Sequence, residues 1–213
     1  MARATAVFDP DCERCPRLAE FCRSTAERHP GYHGLPVPAF GDAEPRCLIV
    51  GLAPGMHGAN RTGRMFTGDR SGDWLYRAMH KAGLANQPES LHASDGLQLS
   101  GVWVTSAVKC APPDNKPAND ERDECRPFLR RELEALARLR VVVCLGAFAY
   151  EAACSEFGVK PRPKFGHGVE VTTPDGFVLV CSFHPSQQNT FTGKLTEPMI
   201  DAVFARARAL TLD

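Results

Sequence analysis

The segment CLIVGLAPGMHGANRTGRMFTGD, residues 47–69, begins as a short apolar run and continues as a glycine-rich loop. The run does not alternate between apolar and polar residues, which is typical of a strand covered on both faces of a sheet. Three more runs share this character, at 102–105, 141–144 and 178–181. We therefore expect four buried strands.

Apolar residues recur at helical spacing between and after these runs, at 74–82, 119–139, 147–157 and 196–210. Pro127 falls inside the second helical segment and predicts a kink or a break there. Strands that alternate with helices predict an α/β fold with a mostly parallel sheet. A chain of 213 residues without repeats can bury one substantial core, so we expect a single domain over residues 1–213.

Charge and hydropathy exclude some classes of protein. The 25 basic and 25 acidic residues cancel, whereas nucleic-acid binders commonly carry a basic excess. Seven basic residues nevertheless lie near the motifs described below and predict a local basic face: Arg61, Arg64, Lys109, Lys116, Arg126, Arg130 and Arg131. No run reaches the roughly 18 apolar residues of a membrane span, and no secretory leader is evident, so we expect a cytoplasmic protein without membrane contact.

Nine cysteines in such a chain indicate reduced thiols or metal ligands. Cys12 and Cys15 form a Cys-x-x-Cys turn, and Cys110 and Cys125 could close a metal centre from a distant part of the chain. Spacing alone fits either zinc or an iron–sulfur cluster. The other five are expected to be structural, with Cys22 as the one rival ligand: Cys22, Cys47, Cys144, Cys154 and Cys181.

Ligands of parallel α/β sheets bind beyond the carboxyl ends of the strands. The segments that leave those ends, 51–73, 106–117 and 184–193, are also rich in Gly, Pro, Asn and His. Five glycines in 51–69 would let the backbone approach a ligand closely, although no phosphate-binding motif is present. We expect His184 to point into a site at this edge.

Four segments together resemble the iron–sulfur uracil-DNA glycosylases of type b, family 5: GLAPGMHGANRTGRMFTGD (51–69), CERCPRL (12–18), KCAPPDNKP (109–117) and HPSQQNTFTGKLT (184–196). The resemblance extends from about residue 12 to residue 196. It implies a three-layer α/β/α sandwich around a four-stranded parallel sheet, with an N-terminal iron–sulfur arm. It also implies a [4Fe-4S] cluster rather than zinc, with four ligands: Cys12, Cys15, Cys110 and Cys125.

The same resemblance implies a monomeric enzyme that hydrolyses the N-glycosidic bond of uracil in double-stranded and single-stranded DNA. The polar residues proposed for the family map onto Asp69, Asn115 and His184. Other groups of the superfamily carry a polar side chain where this chain has Leu52 and Ala53, and often an Asn at the position of Ser106. A pocket with few obligatory hydrogen bonds rejects other bases poorly, so we also expect excision of deaminated purines such as hypoxanthine.

Each candidate residue has an expected role. Asp69 would stabilise the oxocarbenium ion and orient or deprotonate water, or it would instead cap the following helix, a task that Ser71 could also perform. His184 would donate a hydrogen bond to the departing base. The remaining candidates would contact the substrate. Gly51, Ala53 and Phe66 would do so from the glycine-rich loop, and Asn115 would bind the edge of the base. Gln188 and Asn189 would fill the gap that the flipped nucleotide leaves in the duplex. Phe66 would stack on the flipped base, or belong to the core.

Two other classes of function remain open. In an electron-transfer protein the cluster itself would be the active group, and in a damage-binding module the site would hold DNA without cleaving it. The three polar residues at strand ends disfavour both, because neither function requires such a constellation.

Overall fold

The computed structural model describes residues 8–212, and a six-stranded sheet lies at its centre. The strands are β1 (Phe40–Gly41), β2 (Cys47–Gly51), β3 (Val102–Ser106), β4 (Val141–Leu145), β5 (Glu170–Thr172) and β6 (Val178–Ser182). Their order across the sheet is β1-β3-β2-β4-β6-β5. The four central strands are parallel, as expected, and the two edge strands are antiparallel to their neighbours. The edge strands were not predicted, because they are two and three residues long and carry no apolar run.

The described residues contain seven helices: α1 (Pro16–Arg28), α2 (Ala59–Thr62), α3 (Arg70–Lys81), α4 (Asn119–Ala135), α5 (Ala147–Glu156), α6 (Gln187–Phe191) and α7 (Glu197–Leu210). The four predicted helices correspond to α3, α4, α5 and α7. The expected break at Pro127 is wrong, since α4 continues through it. Phe128 and Leu129 directly after the proline are buried in two different cores, and this packing keeps the residues that follow Pro127 in the helix.

The central strands are covered on both faces, which confirms the three-layer sandwich. Alternate residues of a strand point to opposite faces, so Ile49 lies in the core beneath α3 and α7, whereas Val50 lies in the core beneath α4 and α5. None of the helices within residues 8–212 has the length and apolarity that crossing a bilayer requires.

The first helix, which the sequence analysis did not predict, links the cysteine segments to the glycine-rich loop. At its start, the guanidinium of Arg17 donates two hydrogen bonds of 2.7 Å to the carboxylate of Glu121 at the start of α4. Beyond its end, the N–H groups of His33 and Gly34 donate to the carbonyls of Arg61 and Asn60, each at 3.1 Å. The N-terminal arm is therefore attached to the body of the fold at both ends.

Candidate active site and metal centre

Phe66 lies on the long loop that leaves β2, and its backbone is strained. Its φ is +52°, a conformation that a bulky side chain rarely adopts. Its ring covers Gly51, where a Cβ would come within 2.5 Å of the ring atom Cζ. The ring is only partly buried, and it also packs against the core beneath α3 and α7. Both expected roles of Phe66, core packing and a surface for stacking, are therefore compatible with its position.

Asp69 is the N-cap of α3, and its carboxylate accepts a hydrogen bond of 3.0 Å from the N–H of Gly72. The alternative in which Ser71 caps the helix is wrong, because α3 begins at Arg70, two residues earlier than that role requires. Gly72 has no side chain for a steric reason, since a Cβ there would overlap the carbonyl oxygen of Phe66. The start of α3 is thus packed directly against the Phe66 backbone, and it holds Asp69 beside that residue.

The two carboxylate oxygens of Asp69 have different surroundings. Oδ1 accepts the capping bond, while Oδ2 faces the glycine-rich loop, where a Cβ at Gly55 would lie 2.9 Å from it and a Cβ at Gly58 would overlap it. Burial raises the pKa of Asp69, against the opposing effect of the hydrogen bond from Gly72. A partly desolvated carboxylate with a raised pKa is a stronger proton acceptor than an exposed one.

His184 follows β6 at the same edge of the sheet, and its imidazole centroid lies 6.1 Å from the Phe66 ring centroid. Gly146 at the end of β4 makes room for it, because a Cβ there would be 3.3 Å from the His184 Cβ. Burial lowers the pKa of His184 to about 4, so the ring is neutral at pH 7 and donates from one nitrogen only. Asn189 fixes this segment by donating from Nδ2 to the His184 carbonyl at 2.9 Å.

The other candidate residues are not brought into this site by direct contact. The Asn115 side chain is exposed in a short 3₁₀ turn after β3, and it makes no hydrogen bond within residues 8–212. Ala53 packs against the core around the cysteines rather than against Phe66. Gln188 is exposed on α6. Roles for these residues on the substrate therefore stay predictions.

The four candidate ligand cysteines line one cleft, together with apolar residues that include Leu18, Val108 and Phe128. Cys15 is the N-cap of α1, and Cys125 lies within α4. Within the described residues, no group of three or more His, Cys, Asp or Glu side chains could hold a single metal ion. Tetrahedral zinc needs four ligand atoms about 2.0–2.3 Å from one point. A set of sulfurs spread around a cleft suits a larger polynuclear group better.

The surroundings of the cysteines also suit metal-bound sulfur. The backbone N–H of Lys109 donates to the Sγ of Cys125 at 3.3 Å, as a hydrogen-bonded sulfur ligand requires. Burial raises the pKa of Cys15 and of Cys125 to about 11, so each would release a proton on binding a metal. Cys22 does not line the cleft, although its thiol contacts the thiol of Cys110; it also lies 3.8 Å from the carbonyl oxygen of Ala111. The donor set therefore fits a [4Fe-4S] cluster without Cys22.

The expected basic face is wrong for two of its members, which are buried in ion pairs. Arg64 pairs with Asp95 and Lys109 with Glu132, each at 2.7 Å. Two others, Arg126 and Arg130, both contact the carboxylate of Glu156. Sequence analysis could not have found these partners, since all lie more than 20 residues away in the chain.

Comparison with known proteins gives a consistent result. The model of the uracil DNA glycosylase superfamily matches residues 38–208, a region that contains Cys110 and Cys125 but not Cys12 and Cys15. Among curated relatives, a type-5 uracil-DNA glycosylase of Mycobacterium tuberculosis is 47% identical over 208 residues, which cover 93% of this chain and 78% of the relative. A protein of the same description from Thermus thermophilus is 47% identical, and the alignment covers 93% of this chain and 93% of the relative. One from Pyrobaculum aerophilum is 46% identical, and the alignment covers 93% of this chain and 88% of the relative.

Proposed function

This chain belongs to the uracil DNA glycosylase superfamily, and within it to the type-5 enzymes, and we propose that it removes uracil from DNA by hydrolysing the N-glycosidic bond. One observation carries the proposal: a single edge of the sheet joins a carboxylate oxygen, an aromatic ring and a neutral imidazole. These belong to Asp69, Phe66 and His184, and the contacts described above connect the three.

The first step is extrusion of the target nucleotide from the duplex. Unstacking costs a few kcal/mol, and it is least costly for a mismatched or damaged base. The partly exposed ring of Phe66 offers the extruded base a replacement stacking partner, and such a contact is worth about 1–3 kcal/mol. The ring lies close to Gly51, where a Cβ would come within 2.5 Å of its Cζ atom, so a side chain at residue 51 would displace it.

The second step breaks the bond between the sugar C1′ and N1 of uracil. The bonding electrons leave with the base and place negative charge on its ring nitrogen and carbonyl oxygens, while the sugar becomes an oxocarbenium ion. A neutral His184 can donate its one N–H to a base oxygen as this charge develops. Loss of a preorganised donor of this type costs about 3–4 kcal/mol of transition-state stabilisation. The low pKa of His184 keeps it in the neutral form over the physiological pH range.

The third step is the attack of water on C1′. The Oδ2 atom of Asp69 stabilises the cationic sugar and accepts a proton from the water, while Oδ1 keeps the bond from Gly72 that caps the helix. The products are an abasic site and free uracil. We assign Asn115 to the edge of the uracil ring, on the strength of its place in a motif of the family rather than of any contact.

We further propose that Cys12, Cys15, Cys110 and Cys125 hold a [4Fe-4S] cluster. When bound, the cluster supplies a cross-link between the N-terminal arm and the segment after β3, and it takes no part in the cleavage of the base. The cleft lined by all four cysteines and the apolar core around it support this assignment. The Arg17–Glu121 pair lies on the same two segments and reinforces the cross-link.

The substrate range that we propose includes hypoxanthine as well as uracil, in both double-stranded and single-stranded DNA, and the enzyme acts as a monomer. Leu52 and Ala53 place no polar side chain directly after β2, so the pocket makes few obligatory hydrogen bonds to the base. Recognition then depends chiefly on shape and on stacking against Phe66.

The test is an excision assay with the iron-loaded protein on oligonucleotides that carry one uracil, with alkaline cleavage of abasic sites. Strand cleavage at the uracil supports the proposal. Binding to uracil-containing DNA without cleavage would instead indicate a damage-binding module. Neither binding nor cleavage, together with a reversible redox change of the bound iron, would indicate an electron-transfer protein.

A further inference from the structure

The strain at Phe66 requires an explanation from its surroundings. A non-glycine residue at positive φ costs about 1–3 kcal/mol, and it persists only where neighbouring structure over-determines it. Phe66 is held in this conformation although glycine would adopt it freely. The residues on both sides of Phe66 should therefore be fixed by contacts of unusual number or strength.

Arg64, two residues before Phe66, makes such contacts. Its side chain is only 5% exposed, and its guanidinium donates to four groups within 3.2 Å. These are the hydroxyls of Thr67 (2.9 Å) and Ser90 (2.8 Å), the carboxylate of Asp95 (2.7 Å) and the carbonyl of Ala93 (3.2 Å). A buried arginine is tolerated here because its charge is paired with Asp95 and four of its five N–H groups have acceptors.

The same group of residues fixes the chain after Phe66. The hydroxyls of Thr67 and Ser90 are 2.7 Å apart, and the N–H of Gly68 donates to the Ser90 carbonyl at 2.9 Å. Thr67 and Ser90 are both fully buried. Before Phe66, the carbonyl of Met65 accepts from the hydroxyl of Tyr76 on α3 at 2.8 Å. Phe66 is thus enclosed between two immobilised neighbours, and its ring alone faces the site.

Asp95 makes this arrangement rigid. Although burial opposes it, the hydrogen bond from Arg64 holds the pKa of Asp95 well below its usual range, together with bonds from backbone N–H groups. Those backbone donors are Leu91, His92 and Leu97, so the carboxylate also organises the loop that carries Ser90. Nothing in the proposed chemistry uses this buried network, which lies behind Phe66 rather than in the site.

We propose that Arg64 is a positioning residue, which acts through Thr67, Ser90 and Asp95 to hold the Phe66 ring in the orientation that stacks on the extruded base. The inference rests on the proposed function, because it assumes that Phe66 stacks on the base. The loop of residues 90–97 would then have a role in the reaction, although none of the hydrogen bonds described above joins it to Asp69, His184 or the cysteines.

The experiment separates ring position from activity. The iron-loaded protein is labelled with 4-fluorophenylalanine, and the Phe66 fluorine resonance is assigned by its absence in Phe66→Leu. Thr67→Val removes the shared hydroxyl at nearly constant volume, and Arg64→Lys keeps the charge but cannot reach all four acceptors. Phe204→Leu, in the core on α7, is the control for a general loss of stability. Fluorine spectra, thermal midpoints and single-turnover excision rates are measured for each variant.

We expect Phe66→Ala to slow excision by about 5- to 150-fold, the loss expected for one base–aromatic stack. Thr67→Val and Arg64→Lys should shift or broaden the Phe66 resonance and slow excision within that range, whereas Phe204→Leu should lower the thermal midpoint and change neither. If Arg64→Lys does not fold, Thr67→Val decides alone.

Two results would overturn the inference in distinguishable ways. If Phe66→Ala slows excision but the Thr67 and Arg64 variants behave like the Phe204 control, Phe66 stacks on the base without help from Arg64. If Phe66→Ala leaves excision unchanged, the stacking step of the proposed function fails, whatever the fluorine spectra show, and the positioning role fails with it.

Discussion

Replacing Asp69 by Asn should separate the two roles of this carboxylate, because each role uses a different oxygen. Asn retains an acceptor for the Gly72 N–H and is as good an N-cap as Asp. It also places an NH2 group, or a neutral carbonyl, where Oδ2 faces Gly58. Neither can accept a proton from water or balance a cationic sugar. We therefore expect single-turnover excision to fall by about 10²- to 10⁴-fold.

Stability should respond in the opposite sense. Burial raises the pKa of Asp69 in the folded protein, so the ionised carboxylate costs stability at neutral pH, and this cost disappears as the pH falls through the folded pKa. Asn removes the buried charge and keeps the cap, so the thermal midpoint should stay level or rise. Ala removes the cap as well, which costs about 1 kcal/mol and lowers the midpoint by about 2–4 °C in a chain of this size.

The assay compares Asp69→Asn, Asp69→Ala and a control, Asp73→Asn, which makes the same charge change one turn further along α3. Excision rates at saturating enzyme and thermal midpoints are measured at pH 7.5, together with DNA affinity, which should change little because phosphate contacts dominate it. A normal rate for Asp69→Asn, or a rate that falls only in proportion to lost stability, would refute the reasoning and leave Asp69 as a cap alone.

Three further outcomes follow from the site. Cys12→Ala and Cys125→Ala should lose iron, visible absorbance and solubility together. The control Cys154→Ala, which removes a buried thiol on α5, should keep all three. Zinc without iron in the anaerobically purified protein would contradict the cluster. The pKa of His184 is about 4 in the folded state against about 6.5 when unfolded, so the free energy of unfolding should decrease as the pH falls through this window. In urea titrations between pH 7 and pH 5, His184→Gln should therefore lose about 1–2 kcal/mol less of this free energy than the parent does. Hypoxanthine in a matched duplex should be excised at a measurable single-turnover rate, and an absolute preference for uracil would show that Leu52 and Ala53 do not relax the pocket.

Periodicity predicted the parts of the fold in which local pattern and tertiary packing agree. The four central strands and helices α3, α4, α5 and α7 all bury an apolar surface that the sequence displays directly. It failed for α1, whose buried face is short and serves the cysteine-lined core rather than the sheet. It also failed at Pro127, where packing of the next two residues outweighs one missing backbone hydrogen bond.

The position of a site residue was predictable where it directly follows a strand, as for His184, whose role stays a proposal. It was not predictable where the role depends on a partner far away in the chain. The sequence predicts Arg64 as part of a basic face, whereas in the structure it is buried and contacts Ser90 and Asp95. Gly72 and Gly146 carried a weaker signal, since a glycine at a helix start or a strand end indicates close approach without saying what approaches.

The attachment of the N-terminal arm to residues far along the chain has a consequence for how the protein is made. Cys12 and Cys15 leave the ribosome about 100 residues before Cys110, which at 5–20 residues per second is a delay of about 5–20 seconds. During this interval the nascent chain presents a Cys-x-x-Cys pair with no partner. Arg17 likewise waits for Glu121. The proposed cluster could therefore close only after Cys125 has been synthesised, when strands β2 and β3 are already available to pair.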